Sequence, residues 1–228
     1  MQSKPRILTI LDVVTSLLFI TAVALVFFYA PLEAVMGQVQ RVFYFHVANA
    51  WVGMLGFMVA AISGIAYLLK ADRNWDIVGL AAIEISFVFF LTAIVSGSIW
   101  ARGSWGTWWT WDPRLTSAAI VELVYAAYLM LRQGIEDPDR RARYGAVYAI
   151  VAFVSVPITF FSIRIVRTIH PDLAQGDSSG MGLTPKMLQT MMFSLFVFSF
   201  VFADLYWHRL RLGQLADKIE QLRLKITE

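Results

Sequence analysis

The sequence predicts an all-α polytopic membrane protein, a bundle of six transmembrane helices with an extracytoplasmic tryptophan-rich segment. Hydrophobic residues make up 58% of the 228 residues and charged residues 15%, and the mean hydropathy is +0.64, which exceeds the apolar share of a soluble domain. Apolar runs of about twenty residues recur along the chain, long enough for helices that cross a bilayer. Six such runs take up most of the chain, so we expect one compact bundle.

The first three predicted spans are separated by charged or turn-forming residues. Lys4 and Arg6 precede Ile7–Ala30, and the absence of a small-residue cleavage site favours a retained helix over a signal peptide. Phe43–Leu69 and Ile77–Trp100 follow, with the polar stretch 70–74 between them. One stripe of the second span is mostly small, so it should pack closely against another helix and point its histidine into the bundle. The stripe consists of His46, Ala50, Gly53, Phe57, Ala60 and Gly64.

The last three spans begin at stronger helix signals. Asp112-Pro113 is an N-cap aspartate followed by proline at the first helical position, and it opens Leu115–Leu131. The charged stretch 136–143 precedes Gly145–Ile163, and the sixth span is Pro185–Trp207.

We assign residues 1–208 to a six-helix transmembrane domain and residues 209–228 to a cytoplasmic amphipathic tail. Apolar residues recur in the tail at 4-3-4 spacing with charges between them, which favours a helix that lies on the membrane or pairs with a partner. A solvated tail is the alternative. The apolar residues are Leu215, Ile219, Leu222 and Ile226.

The distribution of Lys and Arg orients the bundle. Thirteen of these residues fall on one side of the predicted spans and six on the other, and the richer side is cytoplasmic by the positive-inside rule. Both termini are then cytoplasmic, which agrees with an even number of spans, and the tryptophan-rich segment lies outside. The six outer residues are Arg41, Arg102, Arg114, Arg164, Arg167 and Lys186.

Tryptophan is concentrated between the third and fourth spans. Five of the eight tryptophans fall in the thirteen residues from Trp100 to Asp112, interleaved with glycine and serine. A buried segment would favour aliphatic side chains over indoles, whose N–H groups need partners. We interpret the stretch as an aromatic platform at the membrane surface.

Histidines supply the candidate ligands. The chain has no cysteine, which excludes a disulfide framework, thiolate metal ligands and covalent heme attachment to this chain. His46 and His170 fall on the outer side with the platform, whereas His208 falls on the cytoplasmic side. Neutral imidazole is a good axial ligand for heme iron, and heme stacks on indoles. We therefore favour His46 and His170 as ligands over interfacial polar caps, and we interpret His208 as such a cap.

Arginines on the outer side run against the orientation rule. Arginine offers a bidentate fork to carboxylates such as heme propionates, and contact with lipid phosphates is the alternative for each one. If the fifth helix continued beyond its span, Arg164, Arg167 and His170 would align at three-residue steps, and Pro171 would end it. The set that favours an anionic ligand is Arg41, Arg102, Arg114, Arg164 and Arg167.

Polar residues elsewhere carry no enzymatic signature. The sequence contains no phosphate-binding loop, hydrolase elbow, metalloprotease motif or paired catalytic carboxylates. Acidic residues inside spans are costly and usually face the interior, and we expect hydrogen bonding within the bundle rather than a proton relay. These residues are Asp12, Glu84, Glu122 and Asp204.

The stretch 106–117, Gly-Thr-Trp-Trp-Thr-Trp-Asp-Pro-Arg-Leu-Thr-Ser, resembles the tryptophan-rich WWD signature of the heme-handling proteins of cytochrome c maturation. Residues 41–51, which include His46, and residues 167–170, which end at His170, agree with it. The length and the six spans resemble the heme exporter protein C (CcmC) family rather than the longer CcsA-type synthetase subunits.

This resemblance implies that His46 and His170 are axial ligands of a non-covalent heme b. It also implies presentation of heme on the outer face of the bacterial inner membrane and delivery to the heme chaperone CcmE. The implied partners are the ABC transporter subunits CcmA and CcmB and the small protein CcmD. No bond within the protein need be made or broken, so we do not expect an enzyme. The implied heme contacts are Trp105, Trp108, Trp109, Trp111 and Asp112.

Two other functional classes stay open. A b-type electron-transfer subunit would hold its histidines deep within the spans, where this sequence has no pair. A transporter for another anionic or aromatic solute would have a central cavity and helices broken at mid-membrane. Pro157, inside the fifth span, is the one proline that hints at such a break.

Overall fold

The computed structural model describes residues 4–171 and 183–227, and within these ranges the regular secondary structure is helical. The all-α prediction is confirmed. A π-helical turn, Leu25–Tyr29, extends the first helix. The helices are α1 (Arg6–Ala24), α2 (Gln40–Lys70), α3 (Arg73–Trp105), α4 (Pro113–Gln133), α5 (Pro138–Phe153), α6 (Ser155–Ile165) and α7 (Pro185–Thr227).

Six helical segments among the described residues are long and apolar enough to cross a membrane, which confirms the predicted spans. The helices extend beyond the predicted boundaries. In particular, α3 continues past Trp100 to Trp105 and is capped by Gly106, whose φ of +74° is left-handed and suits a glycine. Trp100 and Trp105 therefore belong to the last turns of α3, and the irregular part of the platform is confined to residues 106–112.

The small stripe of α2 packs closely against its neighbours, as predicted. A Cβ atom added to Gly53 would lie 3.0 Å from the Cβ of Phe90 on α3, and one on Gly64 would lie 2.8 Å from the carbonyl oxygen of Ala146 on α5. Side-chain-free positions let helix backbones approach closely in a membrane, where packing replaces the hydrophobic effect between helices. The α2–α3 contact is the centre of the bundle.

The main core lies on one side of this pair. The rings of Phe57 on α2 and Tyr125 on α4 stack with centres 3.6 Å apart and planes at 5°, and apolar residues of α3, α5 and α6 surround them. Helix α1 is peripheral and exposes a stripe of aliphatic residues that includes Ile10, Leu17 and Ile20. Such a surface fits lipid rather than water.

The fifth span is interrupted. Helix α5 ends at Phe153 and α6 starts at Ser155, two residues before Pro157, which lacks the N–H that would continue the ladder. Helix α6 then ends at Ile165, because Val166 is extended with φ −126° and ψ 143°. The condition for a helical alignment of Arg164, Arg167 and His170, a helix that continues beyond the span, is therefore not met.

The acidic residues within the spans are mostly paired. Asp12 accepts a hydrogen bond from Lys4 and lies 2.8 Å from Nε2 of His208, so the interfacial histidine joins α1 to α7. Glu84 pairs with Arg209 at 2.5 Å. Glu122 on α4 is buried, and neither carboxylate oxygen has a hydrogen-bond partner among the described residues.

Helix α7 continues through the predicted tail without a break as far as Thr227, while Glu228 lies outside the described residues. Its 43 residues correspond to about 65 Å, roughly twice the hydrocarbon thickness of a bilayer. The tail is tied to the start of α3 by the ion pair of Asp217 with Arg73 at 2.5 Å. The domain boundary at residue 208 stays a prediction.

A buried ion pair at the end of α4 gives a test of the fold. Arg132, 7% exposed, holds both carboxylate oxygens of Asp76 on α3, at 2.6 and 2.8 Å. Asp76→Asn leaves the arginine charge buried without a counter-ion, which costs about 3 kcal/mol or more. We expect a lower melting temperature of the detergent-purified protein.

The control is Asp139→Asn, an exposed carboxylate in the first turn of α5. It should leave the melting temperature close to that of the wild type. Equal melting temperatures for the two variants would contradict the structural role of the pair.

Candidate functional site

A cavity of about 310 Å³ lies among α2, α3, α4, α6 and α7, at the end of the bundle that carries the platform tryptophans, which we call the tryptophan end. Apolar side chains form most of its wall, down to Met54 and Phe90, two helical turns deeper than the histidine of α2. The polar and aromatic residues that concern function and line it are His46, Trp100, Trp105, Trp109, Arg114 and His170.

His46 projects from α2 toward α3. Its Nδ1 lies 2.8 Å from the carbonyl oxygen of Ala93. A carbonyl only accepts hydrogen bonds, so Nδ1 carries the proton and Nε2 keeps its lone pair. Gly97 lies against the ring, and a Cβ there would be 2.8 Å from Cε1 of His46. Two packed helices thus fix the first histidine with a ligating nitrogen available.

His170 reaches the same cavity from residues 166–171, the chain that follows α6 and that we call the His170 segment. Its Nδ1 lies 3.0 Å from the carbonyl oxygen of Pro171, which again leaves Nε2 unprotonated. The ring centres of His46 and His170 are 6.4 Å apart, with planes at 46°. The structure therefore brings together the two histidines that the sequence singled out.

The distance between the two histidine rings is close to that of a pair of imidazoles that bind one metal ion. Two imidazoles on opposite sides of one metal ion, each with a metal–nitrogen bond of about 2 Å, have ring centres roughly 6 Å apart. The observed 6.4 Å is within reach of that arrangement. The two rings are thus close enough that His46 and His170 could hold one transition-metal ion between them.

The environment keeps His170 neutral. Burial lowers its pKa to about 4, and the nearby positive charge of Arg114 acts in the same direction. Because the folded protein favours the neutral ring, the contribution of His170 to the stability of the fold is complete above the ordinary pKa of 6.5. This contribution is lost as the pH falls toward 4. At neutral pH the ring is ready to bind a metal.

Asp112 caps α4, as predicted, and also holds the His170 segment. Its Oδ1 accepts hydrogen bonds from the backbone N–H of Arg114 at 2.9 Å and from the hydroxyl of Thr168 at 2.6 Å. Its Oδ2 accepts from the N–H of Ile169 at 2.9 Å. Partial burial acts to raise the pKa of Asp112, but these hydrogen bonds outweigh it and the pKa is lowered. The cap is therefore ionised at neutral pH.

Arg114 is the predicted arginine that the structure places on the cavity wall. Its Nη1 donates to the carbonyl oxygens of Thr159 and Phe160, at 2.6 and 2.7 Å, so α6 fixes the guanidinium beside the cavity. The other predicted arginines are not among the residues that line it, within the described parts of the chain: Arg41, Arg102, Arg164 and Arg167. Of these, Arg41 donates to the carbonyl of Phe27 and Arg102 to that of Gly106.

The platform divides into an inner and an outer part. Trp105 and Trp109 line the cavity, and Trp105 meets the ring of Trp100 edge-on at 5.5 Å. Trp108 and Trp111 are 58% and 81% exposed and do not appear in the wall of the cavity as described. Their indoles face the exterior of the tryptophan end.

Two residues that line the cavity were not predicted from the sequence as site residues. Gly97 makes room for the ring of His46, and buried Trp100 forms part of the wall, with its Nε1 3.5 Å from Oε1 of Gln40. Trp100 belongs to the tryptophan cluster, and this membership could have identified it as a site residue from the sequence. Gly97 carried no such signal, because a glycine within an apolar helix reads as ordinary packing.

The chain is similar to known heme exporter proteins. The family described as heme exporter protein C matches residues 1–225, which include both histidines and the tryptophan segment. The heme exporter protein C of Bradyrhizobium diazoefficiens is 30% identical over 195 residues, which cover 86% of this chain and 74% of that protein. The Escherichia coli K12 protein of the same name is 31% identical over 188 residues, 81% of this chain and 74% of that protein. The similarity extends to a putative cytochrome c biosynthesis ccmC-like mitochondrial protein of Marchantia polymorpha, 30% identical over 154 residues, 67% of this chain and 65% of that protein.

The electrostatics of the cavity can be tested by titration. We expect the imidazole signals of His170 to titrate near pH 4 in NMR spectra of histidine-labelled protein. Arg114→Gln removes the neighbouring cation, which makes protonation easier and raises the pKa of His170.

Arg102→Gln is the matched control. It removes an outer arginine that donates to Gly106 and does not line the cavity, and it should leave the midpoint unchanged. A midpoint near 6.5 in the wild type, or an equal shift in both variants, would contradict the assignment.

Proposed function

This chain belongs to the heme exporter protein C family, and we propose that it binds heme at the outer face of the bacterial inner membrane and delivers it to the heme chaperone CcmE during cytochrome c maturation. The coarse part of the proposal, heme handling for cytochrome c maturation, rests on the family. The finer part, the residues and the direction of transfer, rests on the site.

One observation carries the site assignment: two histidines 124 residues apart in the chain meet with ring centres 6.4 Å apart at an apolar cavity. In the proposal, Nε2 of His46 and Nε2 of His170 bind the iron of a non-covalent heme b from opposite sides. The hydrogen bond from Nδ1 of His46 to Ala93 orients that ring and increases its basicity. The porphyrin then lies against the apolar wall.

The remaining predicted contacts have distinct tasks. Trp105 and Trp109 supply indole faces on which the porphyrin ring packs. The exposed Trp108 and Trp111 cover its outer edge and offer a surface to the chaperone. Arg114 places a permanent positive charge on the wall, which favours a propionate. Arg41, Arg102, Arg164 and Arg167 do not line the cavity as described, and we propose them as outer cations that attract the propionates. A direct contact of Asp112 with heme is what the family resemblance implies.

Delivery requires exchange of ligands rather than a chemical reaction of the protein. Heme held by two imidazoles and a packed ring is released when an incoming ligand from CcmE replaces one of them. No covalent bond of this chain changes, so we propose a carrier rather than an enzyme. CcmA, CcmB and CcmD are the proposed partners, with both termini of this chain in the cytoplasm and the tryptophan end outside.

A transporter for another anionic or aromatic solute is the second candidate. The interruption between α5 and α6 and the apolar depth of the cavity favour it. The position of two neutral histidines at the tryptophan end favours heme instead. A b-type electron-transfer subunit fits less well, since His46 lies in the second turn of α2 and His170 outside a helix.

Absorption spectroscopy of the detergent-purified protein tests the ligands. We expect reconstituted wild type to show the sharp reduced α and β bands of low-spin, bis-histidine heme. His46→Ala and His170→Ala should each lose this spectrum and weaken heme binding at least about 10-fold, since each removes an iron ligand.

His208→Ala is the matched control, because it removes a histidine at the opposite end of the bundle, where His208 contacts Asp12. It should keep the wild-type spectrum. Transfer of heme to purified apo-CcmE should be retained by wild type and His208→Ala and reduced in His46→Ala and His170→Ala. A wild type that does not bind heme, or a spectrum indifferent to both ligand substitutions, would overturn the proposal and favour the transporter.

A further inference from the structure

The carboxylate of Asp112 joins the His170 segment to the start of α4. We propose that Asp112 is a positioning residue, a latch that holds His170 at the iron and thereby sets how readily heme is released. This inference rests on the proposed function, because it requires His170 to be an iron ligand. It assigns Asp112 a role through His170 in place of direct contact with heme.

The latch is a chain of short hydrogen bonds. Asp112 accepts from the hydroxyl of Thr168 at 2.6 Å and from the backbone N–H of Ile169 at 2.9 Å. The Thr168 oxygen in turn accepts from the N–H of His170 at 3.0 Å. The carboxylate is thus linked to the backbone of the ligand residue through one hydroxyl. Charge-assisted bonds of this kind are stronger than those between neutral groups.

The other end of the latch is rigid. Asp112 is the N-cap of α4 and accepts from the N–H of Arg114 at 2.9 Å, with Pro113 at the first helical position. Helix α4 also packs into the main core through Tyr125. The hydrogen bonds therefore fix the position of His170 relative to α4, although the segment itself is not helical and Val166 is extended.

Direct contact between Asp112 and heme is the weaker alternative. Both carboxylate oxygens already accept hydrogen bonds from the protein. An ionised carboxylate would also repel the propionates, the polar groups of heme. The described lining of the cavity contains His170 and Arg114 but not Asp112. The contacts of Asp112 therefore fit a residue that supports the ligand His170.

The two ligands consequently differ in how they can be released. The ring of His46 is held by α2 and α3 through Ala93 and Gly97, so its withdrawal would require helices to separate. His170 lies on an extended segment that hydrogen bonds to Asp112 hold against α4, so its withdrawal requires those bonds to break but no separation of helices. We infer that His170 is the ligand that leaves first on transfer, and that the latch opposes its departure.

Two substitutions each remove one hydrogen bond of the latch. Asp112→Asn keeps a good N-cap, because asparagine caps helices as well as aspartate, but it places an amide donor where the N–H of Ile169 needs an acceptor. Thr168→Val keeps the branched shape and the intact Asp112 cap while removing the linking hydroxyl.

Asp137→Asn is the matched control. Asp137 also precedes a proline and caps a helix, α5, by accepting from the N–H of Arg140 at 2.7 Å. It lies at the opposite end of the bundle, away from the His170 segment.

Heme dissociation from the full-length protein is measured by transfer to excess apomyoglobin. We expect Asp112→Asn and Thr168→Val to release heme roughly 10-fold faster than wild type, with partial loss of the low-spin spectrum. Asp137→Asn should stay at the wild-type rate. The double variant should release heme at least as fast as the faster single one, because Asp112→Asn removes the acceptor of the Ile169 N–H and Thr168→Val removes the hydroxyl that donates to Oδ1.

Hydrogen–deuterium exchange of the heme-free protein provides a readout that does not depend on heme. The peptide that contains residues 166–171 should exchange faster in Asp112→Asn and Thr168→Val than in wild type. Unchanged exchange in both variants would overturn the latch.

The outcomes separate this inference from the proposed function. If His170→Ala loses the bis-histidine spectrum while Asp112→Asn releases heme at the wild-type rate, the carrier function stands and the latch falls. If Asp112→Asn releases heme fast while residues 166–171 exchange at the wild-type rate in that variant, Asp112 does not act through the His170 segment and the latch also falls. If His170→Ala binds heme like wild type, both proposals are overturned.

Discussion

The close approach of α2 and α3 is the constraint on which the candidate site depends. It is possible because glycine faces the neighbouring helix at positions where a Cβ would collide, as at Gly53 against Phe90 and Gly97 against His46. The same approach brings Nδ1 of His46 within 2.8 Å of the carbonyl oxygen of Ala93. In lipid, where helix association depends on packing and hydrogen bonding, a single contact surface thus builds the bundle and sets the tautomer of a ligand.

The second histidine is positioned by a different kind of structure. His170 belongs to an extended segment, and its place is determined by hydrogen bonds to the cap of α4 rather than by helix packing. A carrier has to bind its cargo and also give it up. In the proposed function, His46 on rigid helices would orient the heme and His170 on a tethered segment would allow its release.

Charge completes the arrangement. The ring of His170 stays neutral because burial and the charge of Arg114 lower its pKa, so protons do not compete with a metal near neutral pH. Arg114 itself is anchored by the carbonyls of α6. In the orientation that we propose, Arg114 lies on the side that usually has few arginines, and the cavity that it borders accounts for its presence there.

The sequence by itself determined the six spans, the all-α class, the cap at Asp112 and the residues that merit attention, because hydropathy, capping and residue chemistry are local properties. The inward direction of His46 followed from the spacing of small residues along α2. The sequence left open whether the fifth helix continues toward His170, since helical spacing could not reveal that Val166 is extended and that Asp112 binds the segment beyond it. Only the tertiary structure decided that Arg114, among five outer arginines, reaches the cavity and that Gly97 makes room for His46. It also placed the two histidine rings 6.4 Å apart, because such distances depend on how helices distant in sequence pack together.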